Sequence, residues 1–122
     1  MLSAEKNIFN STKEFKILNF YSDWCPPCHA FMPNFIEAEK TYWKYFDFVI
    51  VNVWKNMQLA QKYWVRGTPT VIILKKDEIL FNKSWVPSWV ELKTIMTELI
   101  WNNIETIEKI GIKKKKRFFG LF

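Results

Sequence analysis

Two consecutive prolines leave a chain few options, and here they stand between two cysteines, Cys25-Pro26-Pro27-Cys28. Pro lacks a backbone N–H and holds φ near the helical value, so the pair suits the first turn of a helix, where the missing donors cost little. The flanks agree. Before the cysteines, FKILNFY from Phe15 to Tyr21 is a short apolar, β-prone run that ends at the polar turn Ser22-Asp23 and reads as a buried strand. After them, Phe31, Phe35, Ala38 and Tyr42 recur at three- and four-residue spacing, which predicts an amphipathic helix from Pro26 to about Tyr45. Pro33 lies inside that helix and removes one backbone hydrogen bond, so a kink is expected there.

Downstream, FDFVIVNVW from Phe46 to Trp54 reads as a fully buried strand and MQLAQKYW as a short helix. PTVIILKK and EILFNKSW read as two strands of a hairpin turning at Lys76-Asp77. Ser88 can cap a last helix in which Val90, Ile95, Leu99 and Ile104 would face the sheet. This order predicts an α/β fold: a central mixed sheet with parallel core strands, an antiparallel hairpin at its C-terminal edge, and helices on both faces. With 122 residues and 49% apolar side chains, one core is expected, in a domain spanning 1–110 with a tail at 111–122. Ligands of such sheets bind beyond the carboxyl ends of the strands, where the cysteines fall.

The net charge of +6 suggests nucleic acid until it is located. Lys113, Lys114, Lys115, Lys116 and Arg117 supply five of those charges, and the remainder of the chain is nearly neutral. Nucleic-acid binding by the body of the protein is therefore disfavoured. The N-terminal stretch carries Glu5, Lys6, Lys13 and Glu14 and lacks the apolar core of a signal peptide, so an unexported, cytoplasmic protein is the expectation. In the tail, the basic run precedes Phe118, Phe119, Leu121 and Phe122. A solvated tail is the usual fate of such runs. The alternative is weak contact with an anionic membrane surface, basic residues supplying attraction and aromatics inserting at the interface.

Cys25-Pro-Pro-Cys28-His29 fits two formal patterns, haem attachment and dithiol redox. Covalent haem would want an exported chain and a mostly helical pocket. Zinc is short of ligands, since Cys25, Cys28 and His29 make at most three and no second cluster completes four, so no metal is expected. The strand–CxxC–helix context favours redox chemistry. A helix N-terminus presents unpaired N–H groups and partial positive charge, which stabilise a thiolate at Cys25. Cys28, one turn further in, is near enough to pair with it and is expected to be the shielded resolver to an exposed Cys25.

The segment FYSDWCPPC resembles the active site of the thioredoxin family, a motif for which that family is a standard example. Pro33 falls where that family kinks its active-site helix, and RGTPT from Arg66 to Thr70 is similar to its cis-proline loop. The resemblance extends from about Phe15 to Trp101. It implies a thiol–disulfide oxidoreductase with Cys25 and Cys28 catalytic and no cofactor beyond their disulfide. It also implies that Trp24 lies beside the disulfide, with Pro26, Pro27, Gly67, Thr68 and Pro69 shaping the substrate site and Thr68-Pro69 as a cis bond. Partners would be client proteins with disulfides and a separate reductase.

The chain departs from the family pattern at three places. Asn19 stands where the family buries an acid that takes up the resolving thiol's proton, and Ile50 replaces the lysine that pairs with it. An amide cannot serve as that acceptor, which leaves His29 or water; His29 otherwise reads as a solvated surface residue. Trp85 stands where the family keeps a groove glycine; it either narrows the groove for a client or packs on Trp89. The cysteines carry the functional expectation, reduction of client disulfides, with oxidase or isomerase activity and a non-redox binding module as rivals.

Overall fold

The structure, a computed structural model of the chain, describes residues 1–4 and 13–108. Two compact units divide the chain, Met1–Trp89 and Val90–Phe122. In the first, strands β1 (Leu2–Ser3), β2 (Phe15–Tyr21), β3 (Phe46–Asn52), β4 (Thr70–Lys75) and β5 (Glu78–Ser84) make a sheet of order β1-β3-β2-β4-β5. Helices α1 (Pro26–Tyr42) and α2 (Met57–Lys62) join its strands. The expected strand and helix starts hold closely, whereas the helix expected to reach Tyr45 ends at Tyr42.

Only β1, β2 and β3 run parallel; β4 is antiparallel to β2 and to β5. The expected parallel core strands are thus β2 and β3, and the expected antiparallel hairpin is β4–β5. Helix α2 has six residues, roughly 9 Å of rise, whereas a seven-residue strand spans roughly 23 Å. It does not carry the chain back to the far end of the sheet, so β4 enters from the end at which β3 leaves. That places the loop before β4 beside the cysteines, which follow β2 at the same end.

The strand alternation sorts side chains to two faces. On one, Leu18 and Phe20 of β2, Val49 and Val51 of β3, and Ile72 and Leu74 of β4 cluster with Ala60 and Tyr63 of the α2 region. On the other, β2 and β3 present Ile17 and Phe48 to α1, with Phe35 against Phe48 at 5.4 Å between ring centroids and Tyr42 against Phe46 at 6.4 Å. Phe31, Phe35, Phe46 and Ile17 are fully buried, each contributing roughly 1.5–3 kcal/mol of apolar burial. This packing holds α1, and so its first turn, against the sheet.

Pro26 and Pro27 occupy the first positions of α1, and Pro33 sits within it. The turn at Lys76 has φ 56° and links β4 to β5, as the hairpin signal predicts. Helix α3 (Trp89–Glu108) begins after Ser88. Among its described side chains Leu92, Met96 and Asn102 are buried, whereas Val90 is 68% exposed. The expected Ile95 and Leu99 are half-buried, so the buried stripe is centred on the i,i+4 pair Leu92 and Met96 beside them. Ile104 and the tail at 111–122 lie outside the described side chains and residues, as does the expected boundary at 110.

Candidate active site

Cys25 and Cys28 form a disulfide with Cα atoms 5.2 Å apart. Cys25 is the N-cap of α1, with extended backbone (φ −146°, ψ 89°). Its carbonyl accepts from the N–H groups of Cys28 at 2.9 Å and His29 at 3.1 Å. Its Sγ accepts from the Cys28 N–H at 3.1 Å, the role an Asp or Ser oxygen plays at an ordinary cap. The two prolines contribute no N–H to this turn, so the Cys28 amide is the first donor available to the sulfur.

A second donor comes from across the fold. The Thr68 hydroxyl donates to Cys25 Sγ at 3.3 Å, and Ser22 Oγ lies 3.2 Å from Thr68 Oγ1. With the Thr68 proton directed at sulfur, Ser22 is the donor to Thr68, so two hydroxyls point in series at one sulfur atom. Thr68 is followed by a cis peptide bond to Pro69. The loop is held by Thr70 Oγ1 donating to the Gly67 carbonyl at 2.7 Å and Ser84 Oγ to the Pro69 carbonyl at 3.3 Å.

The expectation of an exposed Cys25 is corrected. Cys25 is 5% exposed and Cys28 4%, because the Thr68 hydroxyl sits on the Cys25 sulfur. What separates the two sulfurs is hydrogen bonding: two donors reach Cys25 Sγ, and among the described residues none reaches Cys28 Sγ. Trp24, expected beside the disulfide, is 95% exposed. Pro26 and Pro27 are exposed as well. His29 is exposed, and its ring makes no hydrogen bond among the described residues.

Asn19 is buried at 1% exposure, and neither atom of its amide has a hydrogen-bond partner among the described residues. Its neighbours across the sheet are Ile50 on β3 and Val71 on β4, both apolar. The condition for a comfortable amide, paired hydrogen bonds, is not met by protein atoms. Trp85 is half-buried, with its ring 5.3 Å from Phe81 and the Lys83 ammonium 5.2 Å from its centroid. The expected partner Trp89 instead meets Tyr42, at 6.5 Å. Trp85 follows β5 directly, so its nearest aromatic is four residues back on that strand rather than ahead.

Ser22 and Asn52 were not singled out by the sequence. Ser22 reads as a turn residue, and its partner is 46 positions away. Asn52 is 4% exposed; its Oδ1 accepts from the N–H groups of Trp54 and Lys55, and its Nδ2 donates to Asp23. It thereby ties the turn before Cys25 to the loop after β3. A polar residue ending an apolar strand is the only signal that could have drawn notice to it. Among the described residues, grooves open at this end. One, of about 270 Å³, runs past Ser22, Val65, Gly67 and Thr68; a larger one, of about 550 Å³, runs past Lys55, Met57 and Lys62; Trp54 lines both.

Comparison with known proteins agrees with this geometry. The thioredoxin family model matches residues 3–100. A thioredoxin of Buchnera aphidicola subsp. Acyrthosiphon pisum is 31% identical over 96 residues, covering 79% of this chain and 88% of that protein. Thioredoxin 2 of Plasmodium berghei is 30% identical over 94 residues, 76% of this chain and 60% of its own length. A solved structure described as a malarial protein superimposes with a TM-score of 0.66 at 28% identity, covering 70% of this chain and 97% of that one. The germline-specific thioredoxin Deadhead of Drosophila melanogaster shares the fold, with a TM-score of 0.68 at 24% identity over 72% of this chain and 83% of its own. A strand–CxxC–helix site with its cysteines joined, in a fold and sequence matched over most of their length, places this chain in the thioredoxin family of thiol–disulfide oxidoreductases.

Proposed function

We propose that this protein reduces disulfides in client proteins through its CPPC dithiol, with Cys25 as the attacking sulfur. The observation that carries this reading is the convergence of the Cys28 N–H and the Ser22–Thr68 hydroxyl pair on Cys25 Sγ. Hydrogen bonds given to the charged form favour it, so in the reduced protein these donors favour a thiolate at Cys25 over one at Cys28.

In the first step Cys25 thiolate attacks one sulfur of the client disulfide; a mixed disulfide forms and the client's other sulfur leaves as a thiolate. Cys28 then loses its proton and attacks Cys25 Sγ, releasing the second client sulfur and closing the Cys25–Cys28 disulfide. The client gains two electrons and the protein loses two, so a separate dithiol or reductase must restore it. No organic cofactor enters either step. The reaction belongs to a reducing compartment such as the cytoplasm. The substrate lies along the Gly67–Pro69 loop, whose position beside Cys25 supports that assignment.

Thiol alkylation against pH tests the assignment. Cys25 should titrate below the ordinary free-thiol value of about 8.5 and react before Cys28. Cys25→Ser should abolish insulin reduction, whereas Cys28→Ser should trap mixed disulfides. Faster alkylation of Cys28, or full activity in Cys25→Ser, refutes it. No described helix is long and apolar enough to cross a membrane, and the tail reading remains part of the proposal: weak, salt-sensitive contact with anionic surfaces through residues 113–122. Vesicle co-sedimentation that survives deletion of that segment would exclude it.

A further inference from the structure

The larger groove lies beyond the catalytic pair and is not used by the exchange itself. Trp54 lines both this groove and the one at Thr68 and is 68% exposed. Met57, also in its lining, is 54% exposed. Lys55 and Lys62 border it and Arg66 borders the neighbouring groove. Among the described residues no Asp or Glu lines either one. The backbone here is anchored: Asn52 Oδ1 accepts from the Trp54 N–H at 2.9 Å and the Lys55 N–H at 3.3 Å, tying both residues to the end of β3.

We propose that the larger groove is a second docking site that takes an acidic, apolar-containing segment of the client protein, to one side of the disulfide being reduced. The inference rests on the client-reduction reading. Two observations select this occupant. The exposed Trp54 lines both this groove and the one at Thr68, so a chain seated at Thr68 meets the same indole that borders the larger groove. Its lining combines Lys55 and Lys62 with Trp54, Met57 and Leu59, which complements carboxylates interleaved with apolar side chains and opposes a basic segment. Exposed indole and thioether groups supply adaptable apolar contact.

Two measurements on the full chain test this. In the first, labelled, cysteine-free peptides of equal length, one rich in Glu and Leu and one in Lys and Leu, are titrated by fluorescence anisotropy at low salt. The acidic peptide should bind at least about fivefold more tightly, an advantage that shrinks with salt. Lys55→Glu should remove or invert that preference and Trp54→Ala should weaken the acidic peptide. Lys40→Glu, which makes the same change in net charge on α1, should leave the preference standing. Equal binding of the two peptides, or equal effects of Lys55→Glu and Lys40→Glu, overturns the docking site whatever the turnover data show. In the second, the same segments are attached to a peptide disulfide, and the acidic substrate should have the higher kcat/KM through KM. Peptide preference without any disulfide reduction would instead refute the function while leaving the groove, so the two failures are distinct.

Discussion

Replacing Asn19 should reveal what a neutral amide costs in this core. Its side chain is 1% exposed, flanked by Ile50 and Val71, and neither amide atom is paired with protein. A buried amide without hydrogen bonds costs roughly 1–3 kcal/mol in protein mutational data. Asn19→Leu, similar in volume and apolar, should therefore stabilise the oxidised protein by about 2 kcal/mol, or about 8 °C in Tm for a domain of this size. Asn19→Asp should do the reverse in a pH-dependent way. Burial raises the folded carboxyl pKa above the unfolded value of about 3.9, so the variant is most stable below that pH and loses stability as pH rises towards the folded value. Each unit of that interval costs about 1.36 kcal/mol, giving up to about 4 kcal/mol by pH 7. Its compensation should be kinetic: a carboxylate near the helix α1 face supplies a proton acceptor for Cys28, accelerating release of reduced client around neutral pH. Denaturant titrations at several pH values give the stabilities, and rapid mixing on the preformed mixed disulfide gives the rate. An Asn19→Leu protein less stable than the parent, or an Asn19→Asp protein whose stability does not fall between pH 4 and 7, would refute the reasoning. A variant that resolves no faster across pH 6 to 9 would refute its kinetic half.

Trp64 closes helix α2 with φ 60°, its N–H bonded to the Gln61 carbonyl and the Val65 N–H to the Ala60 carbonyl. This is the Schellman arrangement with an indole where glycine is usual. Because Trp64 is 76% exposed, Trp64→Gly should relieve the left-handed strain at little packing cost and raise stability by about 1 kcal/mol, read from the denaturation midpoint. Tyr63 has its phenol pKa raised from 10.0 by burial, with the Asp77 charge adding to the effect. Its contribution is present below pH 10 and lost as pH rises through the folded value, so alkaline destabilisation should be smaller in Tyr63→Phe; equal pH profiles above pH 10 would contradict it. Gly67 has no positive φ, and a Cβ there would meet only Ser84 Oγ at 3.7 Å. Gly67→Ala should fold with unchanged or slightly raised thermal stability by restricting the unfolded chain.

The local parts of this protein are written in its sequence. Proline chemistry puts Cys25 at a helix start, a short apolar run marks β2 and a period-3.6 apolar pattern marks α1, and Lys76-Asp77 turns the hairpin; each is decided by residues within a few positions of one another. Family resemblance pointed to the cysteines and to the Thr68-Pro69 loop. Tertiary packing decided the rest. Helix α2 is too short to return the chain, so β4 pairs antiparallel with β2 and brings Thr68 back to Cys25 across 43 positions. That approach buries the sulfur expected to be exposed and supplies the hydroxyl donors that distinguish it from Cys28. The stranded amide of Asn19 likewise follows from which two strands flank β2. Periodicity reports which face a residue takes, whereas a hydrogen-bond partner depends on what the fold brings opposite that face.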